Sequence, residues 1–463
     1  MIDFSKLEKY RENNRIEAKR AMGGLPYSIW ETYSAFANTM GGVILLGVEE
    51  RKDKTFHALD LPDPKKLIEK FWRQLNNPRR VSVNILTKNN VKIEHVSGKR
   101  IVAITVPRAN RRDRPVYIEN DPQHGTYRRG GEGDYRCTPE EIAAMQRDAA
   151  LRTRDMTPVL GSSVADVLPE TLAAYRKRMK ELRPLHILEG LSDEDFLLRV
   201  GAAVTVEGKL LLTEAGLLLF GKPEVIRRYF PSFAPRLCLD TQCEILTDKN
   251  LFDFYLEASA RLATFFIKSP TAVWVTVEAL TNALVNADYH GDCSIEIKKT
   301  GDGVIFSNPG GFRISPDQAK STGASDTRNK VISHLFLLVG AGEGVGGGIP
   351  RMLTDWRRGG RPTPYFCEEF DPERTVLVLP LNRRLRGSMA QKKKSLSTEI
   401  IKQMIAEQLT DVIAATDWQI ASAIGIPLSR VRYCLSQMKR EGIVIAAGDK
   451  KNRIFKMREK AGF

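Results

Sequence analysis

The stretch "SAFANTMGGVILLGVEE" (Ser34–Glu50) joins three structural signals without a break. It begins inside an amphipathic pattern over residues 26–40 that predicts a helix, which Gly41-Gly42 ends. The apolar run at residues 43–48 then predicts a buried strand, and the acidic pair Glu49-Glu50 follows it. A helix that turns directly into a buried strand indicates a mixed α/β domain at this end of the chain.

A second acidic motif lies upstream in "ENNRIEAKRA" (residues 12–21), where Glu12 and Glu17 are five residues apart. On one strand these side chains would point to opposite faces, and on one helix they would lie about 140° apart. A turn must therefore fall between them, and Glu-Asn-Asn is typical of a turn. The following "RIEAK" predicts a strand with Glu17 and Lys19 on one face. There a carboxylate can hold a divalent metal and a lysine can neutralise a phosphate, and the alternative is a surface salt bridge.

Further β-type runs occupy residues 80–86, 91–96 and 100–106, and a basic, turn-rich loop follows at residues 107–115. The stretch "GTYRRGGEGDYRCTPEEI" (residues 125–142) comes next. Together with the two motifs above, it resembles the AlbA-like domain of the Schlafen family, over about the first 145 residues.

The Schlafen resemblance implies a nuclease site. In Schlafen nucleases three acids form a metal-dependent centre that cleaves RNA, notably tRNA, and Glu12 and Glu17 match two of them. The third falls at Glu49-Glu50, with Glu50 favoured and Glu49 second, and the ion would be Mn²⁺ or Mg²⁺. Lys19 fits the phosphate-binding role. The family nucleases carry aspartates at the acidic pair and join two lobes into a basic cleft, so a composite groove here would need a homodimer or higher homo-oligomer.

Composition sets the broad class. The chain has 463 residues, which predicts two to four domains, and 71 Lys+Arg against 56 Asp+Glu give a net charge of +15. That excess favours polyanions such as nucleic acid. No targeting signal or membrane span is visible, because "KLLLTEAGLLLFG" (residues 209–221) is short and contains Glu214, so a cytoplasmic protein with reduced, scattered cysteines and no membrane partner is expected.

A second chemical motif lies in "TVEALTNALVNADYHGD" (Thr276–Asp292), where Glu278 and Asn282 are four residues apart. That spacing puts both side chains on one helix face. A carboxylate and an amide there can prepare a water and hold Mg²⁺ beside a triphosphate. The alternative is an ordinary polar stripe on an amphipathic helix.

Two glycine-rich stretches follow this helix, "GVIFSNPGGF" (residues 303–312) and "GAGEGVGGGIPRM" (residues 340–352), and the second can wrap phosphate with backbone N–H groups. The order resembles a GHKL-type ATPase, in a variant form that binds ATP with Mg²⁺. The resemblance makes Glu278 the general base and Asn282 the Mg²⁺ ligand. The typical Asp-x-Gly-x-Gly box is replaced by Asn308-Pro309-Gly310-Gly311, with Asp302 a weak candidate for the missing aspartate. The phosphate-facing glycines would be Gly344, Gly346, Gly347 and Gly348. No G-x-x-x-x-G-K-[ST] motif occurs, which argues against a P-loop enzyme.

The C-terminal part, "TDWQIASAIGIPLSRVRYCLSQMKREGIV" (Thr416–Val444), predicts helix, turn, helix and strand, with a hairpin over residues 443–457. This resembles a winged helix-turn-helix, whose second helix enters the DNA major groove while the wing touches the backbone. The alternative is a protein-docking or dimerisation module. The candidate nucleic-acid contacts are Arg430, Arg432, Lys450, Lys451 and Arg453.

The predicted fold class is α/β (α+β) and multidomain, with an AlbA/Schlafen-like lobe, a GHKL-like α/β sandwich and a winged helix-turn-helix. The leading hypothesis is an ATP-binding, nucleic-acid-binding regulator, in particular a DNA-binding transcriptional regulator. One alternative is a metal-dependent endoribonuclease gated by nucleotide, in stress response or phage defence, and another is a scaffold without catalysis. The predicted segments are 1–150 (Schlafen AlbA-like domain), 151–265 (helical and mixed connecting region), 266–382 (GHKL-like ATP-binding domain), 383–395 (linker) and 396–463 (winged helix-turn-helix).

Overall fold

A computed structural model describes most of the chain between residues 3 and 457. Within that range the described residues exclude 5, 6, 8, 9, 11, 14, 52, 54, 131, 132, 241, 315, 321–324, 343–346, 371, 383–397, 412, 413, 418, 421–427 and 448–453. The predicted linker, Gly344, Gly346, Lys450, Lys451 and Arg453 therefore lie outside the described residues. The predicted mixed, multidomain α/β (α+β) fold is confirmed.

The N-terminal lobe is built on a four-stranded sheet in the order β1-β2-β6-β5, in which β1 is parallel to β2 and the other pairs are antiparallel. Two hairpins, β3–β4 and β7–β8, lie outside this sheet. The elements are β1 (Ile16–Lys19), α1 (Ile29–Asn38), β2 (Gly42–Leu46), β3 (Val48–Glu50), β4 (Phe56–Ala58), α2 (Pro64–Leu75), β5 (Val91–Val96), β6 (Lys99–Val106), β7 (Tyr127–Gly130), β8 (Gly133–Arg136) and α3 (Pro139–Ala149).

The predicted turn from helix to strand is present. Helix α1 ends before Gly41, which has φ +71°, a left-handed conformation that glycine adopts without strain. The predicted single strand over residues 43–48 is instead two strands, because Gly47 has φ +81° and redirects the chain. A side chain at residue 47 would also approach Leu61 Cγ to 2.6 Å.

The predicted strand at residues 80–86 is wrong. This segment makes one isolated bridge, between Val81 and Ile118, and no ladder. Its backbone is instead bonded by a side chain, because Tyr33 Oη accepts a hydrogen bond from Ile85 N at 3.0 Å and donates one to Val83 O at 3.1 Å. A buried tyrosine thus satisfies groups that a neighbouring strand would otherwise pair.

The connecting region consists of short elements packed on the next domain. They are α4 (Pro169–Leu182), α5 (Asp193–Arg199), β9 (Ala203–Val206), β10 (Lys209–Leu212), α6 (Glu214–Phe220) and α7 (Pro223–Tyr229). The connecting region and the following domain share one hydrophobic core, which includes Tyr175, Phe220 and Trp356.

The third domain, which begins at β11, has a six-stranded sheet in the order β12-β11-β13-β14-β16-β15. Strands β11 and β13 are parallel and the remaining pairs are antiparallel. The sheet takes its first two strands from residues 236–245, ahead of the predicted boundary at residue 266. The elements are β11 (Arg236–Leu239), β12 (Gln242–Ile245), α8 (Leu251–Phe265), α9 (Pro270–Asn286), β13 (Glu296–Thr300), β14 (Gly303–Pro309), α10 (Pro316–Lys320), α11 (Lys330–Leu338), α12 (Gly348–Arg358), β15 (Tyr365–Phe370) and β16 (Glu373–Pro380).

Two cysteines of this sheet are joined. Cys238 and Cys243 face each other across the β11–β12 hairpin and form a disulfide. The expectation of reduced thiols throughout the chain is therefore wrong for this pair. Across the described residues, no helix is both long enough and apolar enough to cross a bilayer.

The C-terminal unit has its own small core, which includes Ile405, Leu435 and Phe455. Its three strands lie in the order β17-β19-β18. The elements are α13 (Thr398–Asp411), β17 (Ala415–Thr416), α14 (Leu428–Arg440), β18 (Val444–Ala447) and β19 (Ile454–Met457). This order is compatible with the winged helix, which stays a prediction because the expected turn between its helices lies outside the described residues.

Candidate functional site

The turn expected between Glu12 and Glu17 is present. Asn13 and Ile16 form an isolated antiparallel bridge just before β1, with Asn13 N donating to Ile16 O at 3.2 Å. The chain folds back there, so that Glu12 Oε1 accepts a hydrogen bond from Ala18 N at 3.1 Å. The turn therefore brings the Glu12 carboxylate alongside the strand that carries Glu17.

Glu50 joins these two residues, and the three form what we call the acidic cluster (Glu12, Glu17 and Glu50). Glu12 N donates to Glu50 Oε1 at 3.5 Å. Glu49 faces elsewhere and forms an exposed ion pair with Arg20 at 3.5 Å. Of the two predicted candidates for the third acid, Glu50 is the one that lies in the cluster.

Lys19 lies beside the cluster on the face of β1 that Glu17 shares. Lys19 Nζ is 3.1 Å from Glu17 Oε1 and donates to Ser28 Oγ at 3.1 Å. The salt bridge considered as the alternative to a site is thus present, but it lies inside a group of three carboxylates.

The electrostatics of the acidic cluster favour a cation. Burial, and then the negative charges of Glu17 and Glu50, raise the pKa of Glu12, against the hydrogen bond from Ala18 N. Carboxylate oxygens are ligands that Mg²⁺ and Mn²⁺ prefer, so the residue types fit a divalent ion.

The three carboxylates do not stand in a closed metal geometry. Among the described residues, one set of three ligand-type side chains has all its ligand atoms within 4.8 Å, namely Cys238, Cys243 and Glu296, and its two sulfurs are joined in the disulfide. An ion at the acidic cluster would therefore require the carboxylates to rotate inward, and Glu50, which is exposed, is able to do so.

Arg129 is also part of this arrangement, a role that its sequence surroundings do not indicate. Its side chain is 1% exposed and lies 2.8 Å from Glu17 Oε2 and 2.9 Å from Asp134 Oδ1. It also donates to Asn13 O at 3.0 Å and to Ile16 O at 3.4 Å, so it holds the turn itself. The arginine pair in "TYRRGG" was visible, but nothing local to it indicated a partner over one hundred residues upstream.

The second candidate site is a cleft of about 980 Å³, including its open mouth, in the third domain. Glu278 and Asn282 line it from α9, Asn308 from the end of β14, Gly311 from the turn after β14, and Gly348 from the start of α12. Gly347 is the N-cap residue of α12. Gly310 is next to the lining residue Gly311, has φ +89°, and lies so close to the Arg328 guanidinium that a Cβ would overlap it. The structure thus brings the described members of the predicted nucleotide site around one cavity.

Glu278 is the distinctive group of the cleft. Burial raises its pKa to about 7, against the opposing effect of Arg351. Its carboxylate lies against the first turn of α12, where a Cβ on Gly348 would overlap it. The free N–H groups of a helix start favour anions, so this end of the cleft is suited to a phosphate.

Asn308 forms part of the opposite end and is 4% exposed. Its Nδ2 donates to Pro309 O at 3.2 Å and to Asn286 O at 3.4 Å, which commits the amide nitrogen to the protein. The weak alternative, Asp302, lies away from the cleft: it accepts a hydrogen bond from Asn382 near the β13–β14 turn and is not among the lining residues.

The predicted nucleic-acid contacts are only partly described. Arg430 and Arg432 both lie on α14, and Arg432 Nε is 2.6 Å from Asp417 Oδ2. The remaining three, Lys450, Lys451 and Arg453, lie outside the described residues, so this surface stays a prediction.

Three family models match the chain. "Schlafen, AlbA_2" matches residues 12–138, a domain of unknown function (DUF8451) matches residues 143–236, and "Putative ATP-dependent DNA helicase recG C-terminal" matches residues 292–378. The first match includes the acidic cluster and Arg129. The third begins after α9, so Glu278 and Asn282 precede it.

The solved structures that match this chain include the following two. The DIP2311 protein from Corynebacterium diphtheriae is 17% identical over 96% of this chain and 95% of that one, with a TM-score of 0.42. The N-terminal domain of a putative ATP-dependent DNA helicase RecG-related protein from Nitrosomonas europaea is 31% identical over 30% of this chain and 96% of that one, with a TM-score of 0.23. No curated protein matches the chain.

The chain therefore carries a Schlafen AlbA_2 domain over residues 12–138 and a recG C-terminal domain over residues 292–378. This combination indicates a nucleic-acid-associated protein that contains an ATPase-type domain.

Proposed function

We propose that the chain is a nucleic-acid-binding regulator that takes up ATP with Mg²⁺ in the cleft, and that it acts on DNA as a transcriptional regulator, as a homodimer or higher homo-oligomer. The observation that carries the nucleotide part is the position of Glu278 and Asn282. They lie one turn apart on α9 and face a cavity that the start of α12 borders beside Glu278.

Each lining residue has a role in this proposal. Asn282 would hold Mg²⁺, which neutralises phosphate charge when bound. The N–H groups at the start of α12 would receive the phosphates. Glu278, with its pKa near 7, would accept a proton from an attacking water at neutral pH. Asn308, with its Nδ2 committed to carbonyls, would offer its oxygen to the amino group of adenine.

The nucleic-acid part is supported by the AlbA_2 match, the net charge of +15 and the order of elements in the C-terminal unit. In a winged helix, α14 would enter the major groove with Arg430 and Arg432. A DNA complex of this kind weakens steeply as salt rises, because phosphate contacts release counterions.

The nucleotide proposal is tested by titrating the protein with ATP in a calorimeter, with Mg²⁺ and with EDTA. We expect binding that depends on Mg²⁺ and weakens at least tenfold, on the order of 1.4 kcal/mol, in Asn282→Ala. Glu170→Gln, an exposed change at the start of α4, is the control and should bind as the wild type does. Equal affinity for ATP in Asn282→Ala and the wild type would remove Asn282 from the site.

A metal-dependent endoribonuclease is the second candidate, favoured by the proximity of Glu12, Glu17 and Glu50. The test incubates the protein with total tRNA and Mn²⁺, with and without ATP. Glu50→Gln should abolish cleavage, whereas Glu49→Gln changes the adjacent acid, which faces Arg20, and should spare it. Intact tRNA under every condition would reject the nuclease for this substrate and leave the regulator.

A further inference from the structure

Strand β7 carries two consecutive buried arginines, Arg128 (6% exposed) and Arg129 (4% exposed). Because successive residues of a strand point to opposite faces, one strand presents a guanidinium group to each side. The pairing with β8 agrees, since Arg129 lies opposite Asp134 and Arg128 lies opposite Tyr135. The two arginines therefore contact different parts of the molecule.

On one face, Arg129 holds the acidic cluster together. It donates to the carbonyls of Asn13 and Ile16, which form the turn, and pairs with Glu17 just beyond it. A displacement of Arg129 would move the turn, and the Glu12 carboxylate with it. Arg129 is thus a positioning residue for the acidic cluster.

On the other face, Arg128 reaches the third domain. Arg128 Nη2 lies 3.1 Å from Glu373 Oε1, Nη1 lies 2.8 Å from Glu141 Oε1, and the guanidinium carbon lies 4.6 Å from the centroid of the Phe370 ring. Glu373 is the first residue of β16, and its carbonyl accepts a hydrogen bond from Gly310 N at 3.0 Å. Arg128 therefore holds the residue that supports the turn after β14.

Glu373 also lies close to the cleft. Its Oε1 would be 2.6 Å from a Cβ on Gly311, a residue that lines the cavity. Glu373 and the two arginines of β7 thus form a continuous series of contacts from Gly311 to the Glu17 carboxylate. All of these contacts are buried or half-buried, so they are weakly screened by salt.

The lobe supports the same wall of the cleft at further points. Arg108 donates to Phe312 O at 3.0 Å, and Arg328 pairs with Asp148 at 2.8 Å. Arg111 pairs with Asp326. Phe312, Asp326 and Arg328 all line the cavity. Three residues of the wall around the turn thus have partners in the lobe.

We propose that strand β7 couples the cleft and the acidic cluster. Arg128 moves with the turn after β14, and Arg129, the next residue of the strand, passes this displacement to the turn between Glu12 and Glu17. A nucleotide that shifts the turn would thereby change how the acidic cluster binds nucleic acid or a cation. Linkage requires the reverse as well, so a ligand at the cluster changes nucleotide affinity by the same factor. The coupling rests on the proposed nucleotide site, and it is independent of whether RNA is cut.

The test measures the affinity for tRNA by fluorescence anisotropy, in Ca²⁺ and with and without a non-hydrolysable ATP analogue. The affinity for a fluorescent form of the analogue is measured with and without tRNA. Each measurement gives a coupling ratio, which is the affinity for one ligand with the other present divided by its affinity alone. For the wild type we expect the two coupling ratios to agree and to differ from one by at least about fivefold. Arg128→Met should bring both ratios close to one while each ligand still binds alone.

The controls separate coupling from folding. Arg136→Met changes an exposed arginine on the same hairpin that contacts Tyr127 and should keep the wild-type ratio. If Arg128→Met does not fold, Glu373→Gln is the second variant. It removes the charge that pairs with Arg128 while keeping the size of the side chain, and it should also abolish the coupling. A ratio of one in the wild type, with both ligands bound, would overturn the coupling and leave the proposed function intact. A ratio equal to that of the wild type in Arg128→Met or Glu373→Gln would also overturn the coupling. Absence of any nucleotide binding would overturn the proposed function and the coupling together.

Discussion

The acidic cluster and the cleft each contain a glutamate with a raised pKa, but the two environments differ. Burial raises the pKa of Glu12 and the nearby charges of Glu17 and Glu50 add to it, whereas burial acts on Glu278 with only Arg351 opposing it. Crowded carboxylates are relieved by a cation that all of them can share. A lone buried carboxylate is relieved by taking up a proton. The first environment therefore suits metal binding and the second suits proton transfer.

The largest expected effect concerns Glu278 and pH. Its pKa is about 7 in the folded protein against an ordinary 4.5, so burial favours the neutral acid. The free energy of unfolding therefore depends on the protonation of Glu278. The contribution of the neutral acid is fully present below pH 4.5 and is lost as pH rises through 7, because the folded protein must then bury a charge. Glu278→Gln should therefore be more stable than the wild type at pH 8, by on the order of 3 kcal/mol, and equal to it at pH 4.

Thermal unfolding across this pH range checks the prediction, with Glu170→Gln as the control that should follow the wild type. If the stability of Glu278→Gln follows that of the wild type at every pH, Glu278 does not have a raised pKa. The contrast with the acidic cluster would then be lost.

The next effect concerns Mn²⁺ and the acidic cluster. With the free ion at a hundred times its dissociation constant, binding should add about 2.7 kcal/mol to the stability of the lobe. Glu12→Gln should lose most of the resulting rise in unfolding temperature, while Glu278→Gln should keep it. A rise of the same size in Glu12→Gln would show that Mn²⁺ binds elsewhere.

The smallest effect concerns Gly348, where a methyl group would displace the Glu278 carboxylate rather than backbone. Because the carboxylate is the end of a flexible side chain, Gly348→Ala should fold and should weaken nucleotide binding by about 1 kcal/mol, roughly fivefold. Gly190→Ala adds a methyl group with no heavy atom within 4 Å and serves as the matched control. Calorimetric titration with Mg²⁺·ATP gives both affinities, and equal values would place Glu278 away from the nucleotide.

Local patterns were sufficient for much of the fold. The helix before Gly41, strand β1 with Glu17 and Lys19 on one face, and the shared face of Glu278 and Asn282 all follow from the periodicity of a few residues. The structure has each of these. The mixed α/β class, which depends on the same patterns, is confirmed.

Features that depend on distant partners were not predictable. Arg129 and the basic loop at residues 107–115 have no local sign of a partner in the sequence, yet Arg129 and Arg111 are buried against partners far away in the chain. The strand expected at residues 80–86 has a suitable alternating pattern, but the Tyr33 hydroxyl occupies its backbone groups. In both cases the deciding contact is made by a side chain with no local signal.

The ion pairs between the lobe and the third domain have a practical consequence for work with fragments. Glu368, the partner of Arg108, lies 260 residues further along the chain, and Glu373 lies 245 residues after Arg128. A lobe expressed alone would therefore expose guanidinium groups that the whole protein keeps neutralised. Such a fragment would adsorb tRNA or heparin through a surface that the intact chain does not present, and its affinity would overstate that of the complete protein.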